Sequence, residues 1–428
     1  MRLLLLTHYY APEFGAPQRR WSALIGRFIA AGHRVTVAAP VPHYPAGRPT
    51  RTQRRSHRVG AVERGRHGET VLRTAYLPHR ADITSRTADH LIAAADAMRR
   101  LRRRFSRPGT RPDVIVATAP AIPTLMVGRA LSLLWDVPLV VEMRDAWPDL
   151  VTHVGPVGAL GPEALLAARR SAGRRLLTWT VALVKGRVHR EVTNWQSGAR
   201  AVVTTTARFA EVLRERGVDP VRVVRNGTDL SLVPRQRDHL PGDHPELRCL
   251  YLGNMGRSQG LDTVVRAAAA LHREGVDVQV RMVGHGVEAS ALAALAYELD
   301  APVEVIPRIP HREVVRQYAW ADTVIVSLRD WEPFAWTVPS KLYEILATGR
   351  HITALLAGEA ADVVREAEAG DVLPPEDDGA LAALWRELAA DRSRVAVRAS
   401  GRAWVADQAD DDVLAERYLE ILHRVTQE

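Results

Sequence analysis

Cysteine is almost absent: the 428 residues contain one, Cys249. A disulfide framework is excluded, as is a metal site built from thiolates, and a reducing, cytosolic compartment is expected. Lysine is nearly as scarce. Of 58 basic side chains only Lys185 and Lys341 are lysines, so arginine serves wherever a generic cation will do. That bias gives the two lysines weight, because a compact ammonium and a planar guanidinium are not equivalent at a precise site. No apolar run reaches the ~18 residues needed to span a bilayer. The opening MRLLLLTHYY has too short an apolar stretch for a signal peptide and reads as a buried first strand. The turn after it, THYYAPEFGAPQRR, carries a single glycine, Gly15, so the Gly-x-Gly-x-x-Gly fingerprint of a nicotinamide dehydrogenase is missing.

What is present is an ordinary globular composition, with 46% hydrophobic and 25% charged residues. The length suits two domains, each able to bury its own core. Short apolar runs alternate with helical patterns. Strands are expected at Leu3–Leu6, Val35–Ala39, Val114–Ala117 and Leu139–Val141, with helices at Trp21–Ala31 and Leu125–Leu134. The rhythm restarts at Leu247, with strands at Leu250–Leu252, Val278–Val283, Val303–Ile306, Thr323–Val326 and Ile352–Leu355. The helices between them are expected at Leu261–Leu271, Glu288–Leu299, Arg312–Trp320 and Lys341–Ala347. Such a β-α-β alternation implies two doubly wound parallel sheets. The divisions expected are a domain over 1–233, a Pro- and charge-rich linker over 234–246, a second domain over 247–405, and a final segment over 406–428, helical from Asp412 to Val425 and returning toward the first domain. Arg48–Arg66 is polar, Arg-rich and weakly periodic, and reads as a long mobile surface loop.

Several segments together resemble family 4 retaining glycosyltransferases. THYYAPEFGAPQRR followed by GHRVTVAAPVPHYPAG is similar to the family's opening, and LGNMGRSQGLDTVVRAA, VGHG and VPSKLYEILATGRHI to its second half. EMRDAWPD resembles a segment of the branch that builds O-antigen, capsule and exopolysaccharide, which includes N-acetylfucosamine transferases. The resemblance runs through nearly the whole chain. It implies a GT-B fold, two facing Rossmann-like domains with an interdomain cleft. It also implies a nucleotide diphosphate-sugar donor, UDP-sugar favoured, and a glycan or lipid-linked acceptor.

The residues can be weighed one by one. In VPSKLYEILATG, Pro339 suits a helix start and Gly349 a helix stop. The N–H groups at such a start, from Ser340 onward, are a ready diphosphate site. Glu344, about one turn further in, can accept hydrogen bonds from both ribose hydroxyls, and the family's glutamate does so. The plainer reading makes Glu344 and Lys341 a solvated pair. Eight positions before Glu344 the family usually has a second glutamate; Trp336 stands there, with Glu332 nearby but out of register. In GNMGRSQG the family's basic pair is reduced to Arg257, with Gln259 at the lysine position. Arg257 and Lys341 are therefore expected to share the leaving diphosphate. Gly284 and Gly286 of VGHG would line the nucleotide pocket or simply form a tight turn. Arg308 and Ile309 lie where the family's main chain meets the base. Gly15 and Ala16 would face the donor phosphates. Asp145, just past a strand, is a catalytic candidate or a loop carboxylate. Thr118–Pro120 replaces the histidine loop of many relatives.

The family's retaining chemistry is front-face attack with a donor phosphate oxygen taking the proton, which calls for leaving-group stabilisation more than a general base. No paired-carboxylate site is evident and no DxD metal motif is apparent, so neither an essential metal nor a cofactor is expected. Residues 160–190 mix apolar side chains with Arg169, Arg170, Arg174, Arg175 and Lys185. They read equally as a packed helix with a basic face or as a surface for an anionic membrane, which would make the protein peripheral on the inner face of the cell membrane. Two other functions compete. One is a UDP-sugar 2-epimerase of the same fold, whose carboxylate and histidine set is not seen. The other is a basic nucleic-acid binder, suggested by the net charge of +9. With aromatics at 6% and none in 48–66, an interleaved Arg and aromatic stripe is missing, and no nucleic-acid partner is expected.

Overall fold

The structure, a computed structural model, describes residues 1–80, 82–144, 189–237, 244–397 and 399–427. It divides into two compact α/β units, Met1–Arg225 with Leu414–Glu428, and Asn226–Val413.

The first unit is built on an eight-stranded sheet. Its strands are β1 (Arg2–Leu6), β2 (Arg34–Pro40), β3 (Val62–Arg64), β4 (Thr70–Thr74), β5 (Val114–Thr118), β6 (Leu139–Met143), β7 (Ala201–Thr204) and β8 (Val221–Val223). They are ordered β3-β4-β2-β1-β5-β6-β7-β8. All neighbours are parallel except β3 against β4. Every residue of β5 and β6 is buried, as strands covered on both faces must be. Three helices precede β5: α1 (Ala16–Ala30), α2 (Arg51–Ser56) and α3 (Ile83–Arg104). A fourth, α4 (Ile122–Trp135), follows it. Trp21, Leu24, Ile25 and Phe28 of α1 pack on the sheet with Tyr418 and Leu422 of the last helix, Asp411–Gln427.

Inside this core lies a buried ion pair. Arg20 Nε stands 3.3 Å from Glu142 Oε1, with side-chain exposures of 5% and 0%. The guanidinium also donates to the carbonyls of Arg225 and, at 3.0 Å, Val224. It therefore joins α1, β6 and the segment after β8.

The second unit has a six-stranded, all-parallel sheet. Its strands are β9 (Leu247–Asn254), β10 (Val278–His285), β11 (Val303–Pro307), β12 (Thr323–Ser327), β13 (His351–Leu355) and β14 (Gly370–Leu373), ordered β11-β10-β9-β12-β13-β14. Counted within the sheet this order is 3-2-1-4-5-6, that of a dinucleotide-binding doubly wound fold, with its reversal between β9 and β12. Cys249 lies in the core of this unit, where burial pushes its thiol up and leaves it unreactive.

Two sequence expectations change. The stretch 48–66 is ordered. Thr50 Oγ1 accepts the Gln53 N–H at 3.2 Å while Gln53 Oε1 accepts the Thr50 N–H at 2.8 Å, a reciprocal cap that starts α2. Then β3 pairs with β4, and its Glu63 takes the buried Arg73 at 2.9 Å. Polar pairs impose this order, which is why apolar periodicity gave no sign of it. The division of the chain falls at Arg225, ahead of the expected 233. Residues after it belong to the second unit, where Arg402 donates to the carbonyls of Leu230, Val233 and Ala347.

Replacing Arg20 by Met keeps much of the volume but leaves the Glu142 carboxylate buried without its cation. A loss of about 3–5 kcal/mol is expected, read from denaturant unfolding followed by tryptophan fluorescence; a change below about 1 kcal/mol would show that the ion pair is not what holds these elements.

Candidate active site

In an open parallel sheet ligands sit beyond the carboxyl ends of the strands, at the reversal of strand order. In the second unit this places attention on the loops after β9 and β12. The loop after β9 carries Arg257, Ser258 and Gln259 as one turn of 3-10 helix. Gln259 Oε1 accepts the Gly256 N–H at 3.0 Å and closes that turn from inside. Ser327 Oγ, at the end of β12, donates to the Gln259 carbonyl at 2.6 Å.

Arg329, two residues past β12, completes the clamp. Its backbone N–H reaches Ser258 O at 2.9 Å and its Nε reaches Arg257 O at 2.7 Å. One terminal nitrogen pairs with Asp262 at 3.0 Å and the other with Glu376. The loop's own carbonyls are thus satisfied from behind. The Arg257 guanidinium stays 68% exposed, with Glu288 3.5 Å away. Gln259, which leaves the loop one cation short, also acts as the acceptor that shapes the loop, a role lysine cannot fill.

The turn after β10 is drawn tightly against this loop. Met255 donates its N–H to His285 O at 2.7 Å and accepts from Glu288 N–H at 3.0 Å. Gly284 and Gly286 both have φ near 157°. A Cβ at Gly284 would stand 1.8 Å from Gly253 O, and one at Gly286 2.1 Å from Met255 O. These glycines are required by the approach of the β9 and β10 turns to each other. Arg308 is exposed and Ile309 half-buried, in the loop after β11.

The helix Ser340–Thr348 follows β12 and a short 3-10 turn, Glu332–Trp336. Pro339 is its cap residue, no side chain caps its N-terminus, and Gly349 ends it with φ 75°. Ser340, Lys341 and Glu344 are half-buried along it, and the residues between, Leu342 and Tyr343, are fully buried. Glu344 Oε1 accepts the Tyr318 hydroxyl at 3.1 Å, its one hydrogen-bond partner among the described residues. The neighbouring helix that carries Tyr318 is tied down in turn, since Arg350 donates to the Tyr318 and Ala319 carbonyls at 2.8 and 3.0 Å. Glu332 is exposed and Trp336 half-buried.

In the first unit Gly15 and Ala16 are exposed at the start of α1. Glu13 positions them. Its Oε1 accepts the N–H groups of His43 and Tyr44 at 2.7 and 2.9 Å, and its Oε2 accepts from Gln18 at 3.1 Å. Sequence reasoning passed over Glu13 and Arg329; the first stood inside the quoted motif, and the second had no local signal at all. Asp145 and residues 160–188 lie outside the described residues.

A family model described as glycosyl transferase 4-like domain matches residues 15–227, and one described as glycosyl transferases group 1 matches residues 246–391. The chain belongs to the family 4 type of glycosyl transferases. Its two parallel-sheet units are those of the GT-B fold. Sucrose-phosphate synthase from Thermosynechococcus elongatus superposes with a TM-score of 0.70 at 18% identity, over 100% of this chain and 99% of that one. Anabaena HepE in complex with UDP and glucose gives 0.64 at 16%, over 99% of this chain and 100% of that one. D-inositol 3-phosphate glycosyltransferase 1 of Catenulispora acidiphila is 30% identical over 220 residues, 47% of this chain. The match spans about half, 51%, of that relative's length.

The loop geometry sets an order among substitutions. Gln259→Glu keeps an acceptor for the Gly256 N–H, whereas Gln259→Lys removes it and should cost roughly 1–3 kcal/mol. Thermal melts of the two variants check this, and equal melting temperatures would show that the turn does not depend on the side chain. Gly284→Ala should be harsher than either, because its Cβ meets backbone.

Proposed function

We propose that the chain transfers a sugar from a nucleotide diphosphate donor, with UDP as the favoured nucleotide, to a glycan or lipid-linked acceptor, and that it does so with retention. The observation that carries this reading is the helix Ser340–Thr348. Its N-terminus has no side-chain cap, and Glu344 is held by Tyr318 about one turn along. Diphosphate oxygens would accept N–H groups at this N-terminus, aided by the dipole. The unshared Glu344 oxygen would accept from the ribose hydroxyls. Lys341 and Arg257 would neutralise the departing diphosphate, whose charge grows in the transition state. Ser340 supplies one of the N–H groups, Arg308 and Ile309 would frame the base, and Gly284 and Gly286 would shape the floor. Gly15 and Ala16 are proposed as donor-binding residues and Asp145 as a catalytic residue.

HepE binds UDP and UDP-glucose, which supports the choice of nucleotide. WaaG, a glycosyltransferase involved in lipopolysaccharide biosynthesis, superposes with a TM-score of 0.62 at 14% identity, over 98% of this chain and 99% of that one, and fits a role in cell-surface polysaccharide synthesis. Among the described residues no helix is long and apolar enough to cross a membrane. An anionic membrane surface is proposed to meet residues 160–190, and no cofactor is proposed for the transfer.

Calorimetry tests the reading. UDP should bind the wild-type chain, and Glu344→Ala should weaken it by about 1.5–3 kcal/mol with an unchanged melting temperature. Unchanged affinity would remove Glu344 from the nucleotide site. Lys341→Arg keeps the charge but not the compact ammonium, and is expected to lose turnover at saturating donor; wild-type turnover would return Lys341 to an ordinary helix residue.

A further inference from the structure

A second cluster of chemistry lies in the first unit, beside Glu13, which accepts the His43 N–H at 2.7 Å. His8 follows β1, His43 follows β2, His79 follows β4, and Asp89 lies on α3. Three imidazole nitrogens converge on one carboxylate oxygen, Asp89 Oδ2: His8 Nε2 at 2.9 Å, His43 Nε2 at 3.0 Å and His79 Nε2 at 3.9 Å. The side chains are 2%, 2% and 9% exposed for the histidines and 0% for Asp89. The ligand atoms of His8, His43 and Asp89 all lie within 4.8 Å of one another.

The outer contacts show how these groups are aimed. His43 Nδ1 is 2.7 Å from the Val41 carbonyl, and His79 Nδ1 is 2.7 Å from the Arg80 carbonyl. A carbonyl can only accept, so each Nδ1 carries the proton and each Nε2 is turned toward the centre. Asp89 Oδ1 is occupied by the Leu77 N–H at 2.7 Å, which turns Oδ2 the same way. Backbone carbonyls on the far nitrogens of inward-facing histidines are the outer partners that orient metal-binding imidazoles. His8 Nδ1 is buried with no hydrogen-bond partner among the described residues, and His8 lines a cavity of about 20 Å³ with Thr7, Thr74 and Thr124. That is room for one water, which would complete its outer shell.

We propose that His8, His43 and Asp89, with His79 closing the fourth position, form a buried site for a divalent cation of the zinc class. Imidazole nitrogens with a single carboxylate suit such an ion. Four protein groups and almost no solvent access make it a closed, structural site. The sequence expectation of no essential metal rested on the absence of a DxD motif, which a histidine-based site does not need. The ion would pin together the loops after β1, β2 and β4 and the start of α3, at the carboxyl edge of the first sheet, where an open α/β sheet presents ligands. Placement of the ion needs the groups to open from hydrogen-bond spacing to bonds of about 2.0–2.1 Å around it.

The test uses the full, untagged chain, stripped with a chelator and equilibrated with Zn²⁺ or Co²⁺. One metal per chain should remain after dialysis. The Co²⁺ form should show the visible absorption of a four-coordinate ion, and X-ray absorption of the Zn²⁺ form should show imidazole scattering. The melting temperature should rise on loading, because an ion that binds only the folded chain stabilises it. His43→Ala should weaken uptake by more than the ~10–100-fold that losing an outer partner costs, while His423→Ala, an exposed residue of the last helix, should not. A wild-type chain that retains no stoichiometric metal would overturn the site and leave a hydrogen-bonded ion pair in its place. So would uptake unchanged in His43→Ala. The wild-type spectra stand by themselves should that variant fail to fold.

Discussion

The second unit depends on one constraint, the reversal of strand order between β9 and β12. Parallel strands joined by right-handed crossovers place successive helices on one face until the order reverses, and there the loops part. An opening between two loops is useful only if neither loop collapses into it. Arg329 prevents that for the loop after β9 by taking the carbonyls of Arg257 and Ser258 from behind. Gln259 and Ser327 close the same turn from the inside. The backbone is therefore satisfied without using the outward-facing groups, and Arg257 remains exposed. Across β12 the helix Ser340–Thr348 is fixed differently, through the buried Leu342 and Tyr343 and through Arg350 on the carbonyls of Tyr318 and Ala319 in the neighbouring helix.

The first unit follows the same plan with different chemistry. Arg20 links α1 to β6 in the core, and Glu13 links the loop before α1 to the turn after β2. Both are buried charges that hold backbone in place, so the exposed start of α1 at Gly15 and Ala16 is positioned by groups that never reach the surface. Removing such a charge's partner costs far more than a surface pair would, because the survivor has no water.

Much of this was legible in the sequence, and what was not has physical reasons. The central strands β1, β2, β5 and β6 of the first sheet and β9 to β13 of the second stood out as apolar runs, and Val114–Ala117 is buried throughout; β3, β4, β7, β8 and β14 are short and were not foreseen. The helix α3, with 22 residues, was not foreseen. Its buried stripe is Asp89, Ala93, Ala94 and Leu101, a carboxylate and two alanines with one large side chain, which has no clear apolar period. Arg329 is one of many arginines, and only its position past β12 gives it a role. The start of the helix Ser340–Thr348 was legible because a helix start has its own residue grammar. The histidines at 8, 43 and 79 share no spacing with Asp89 and meet only through the order of the strands.

The most direct test of the nucleotide site is a crystal structure of the chain with UDP. The diphosphate is expected at the N-terminus of the helix Ser340–Thr348, with the ribose hydroxyls on Glu344 and an Arg257 nitrogen turned to a phosphate oxygen. A nucleotide bound elsewhere in the chain, or ribose hydroxyls out of hydrogen-bond reach of Glu344, would contradict the assignment.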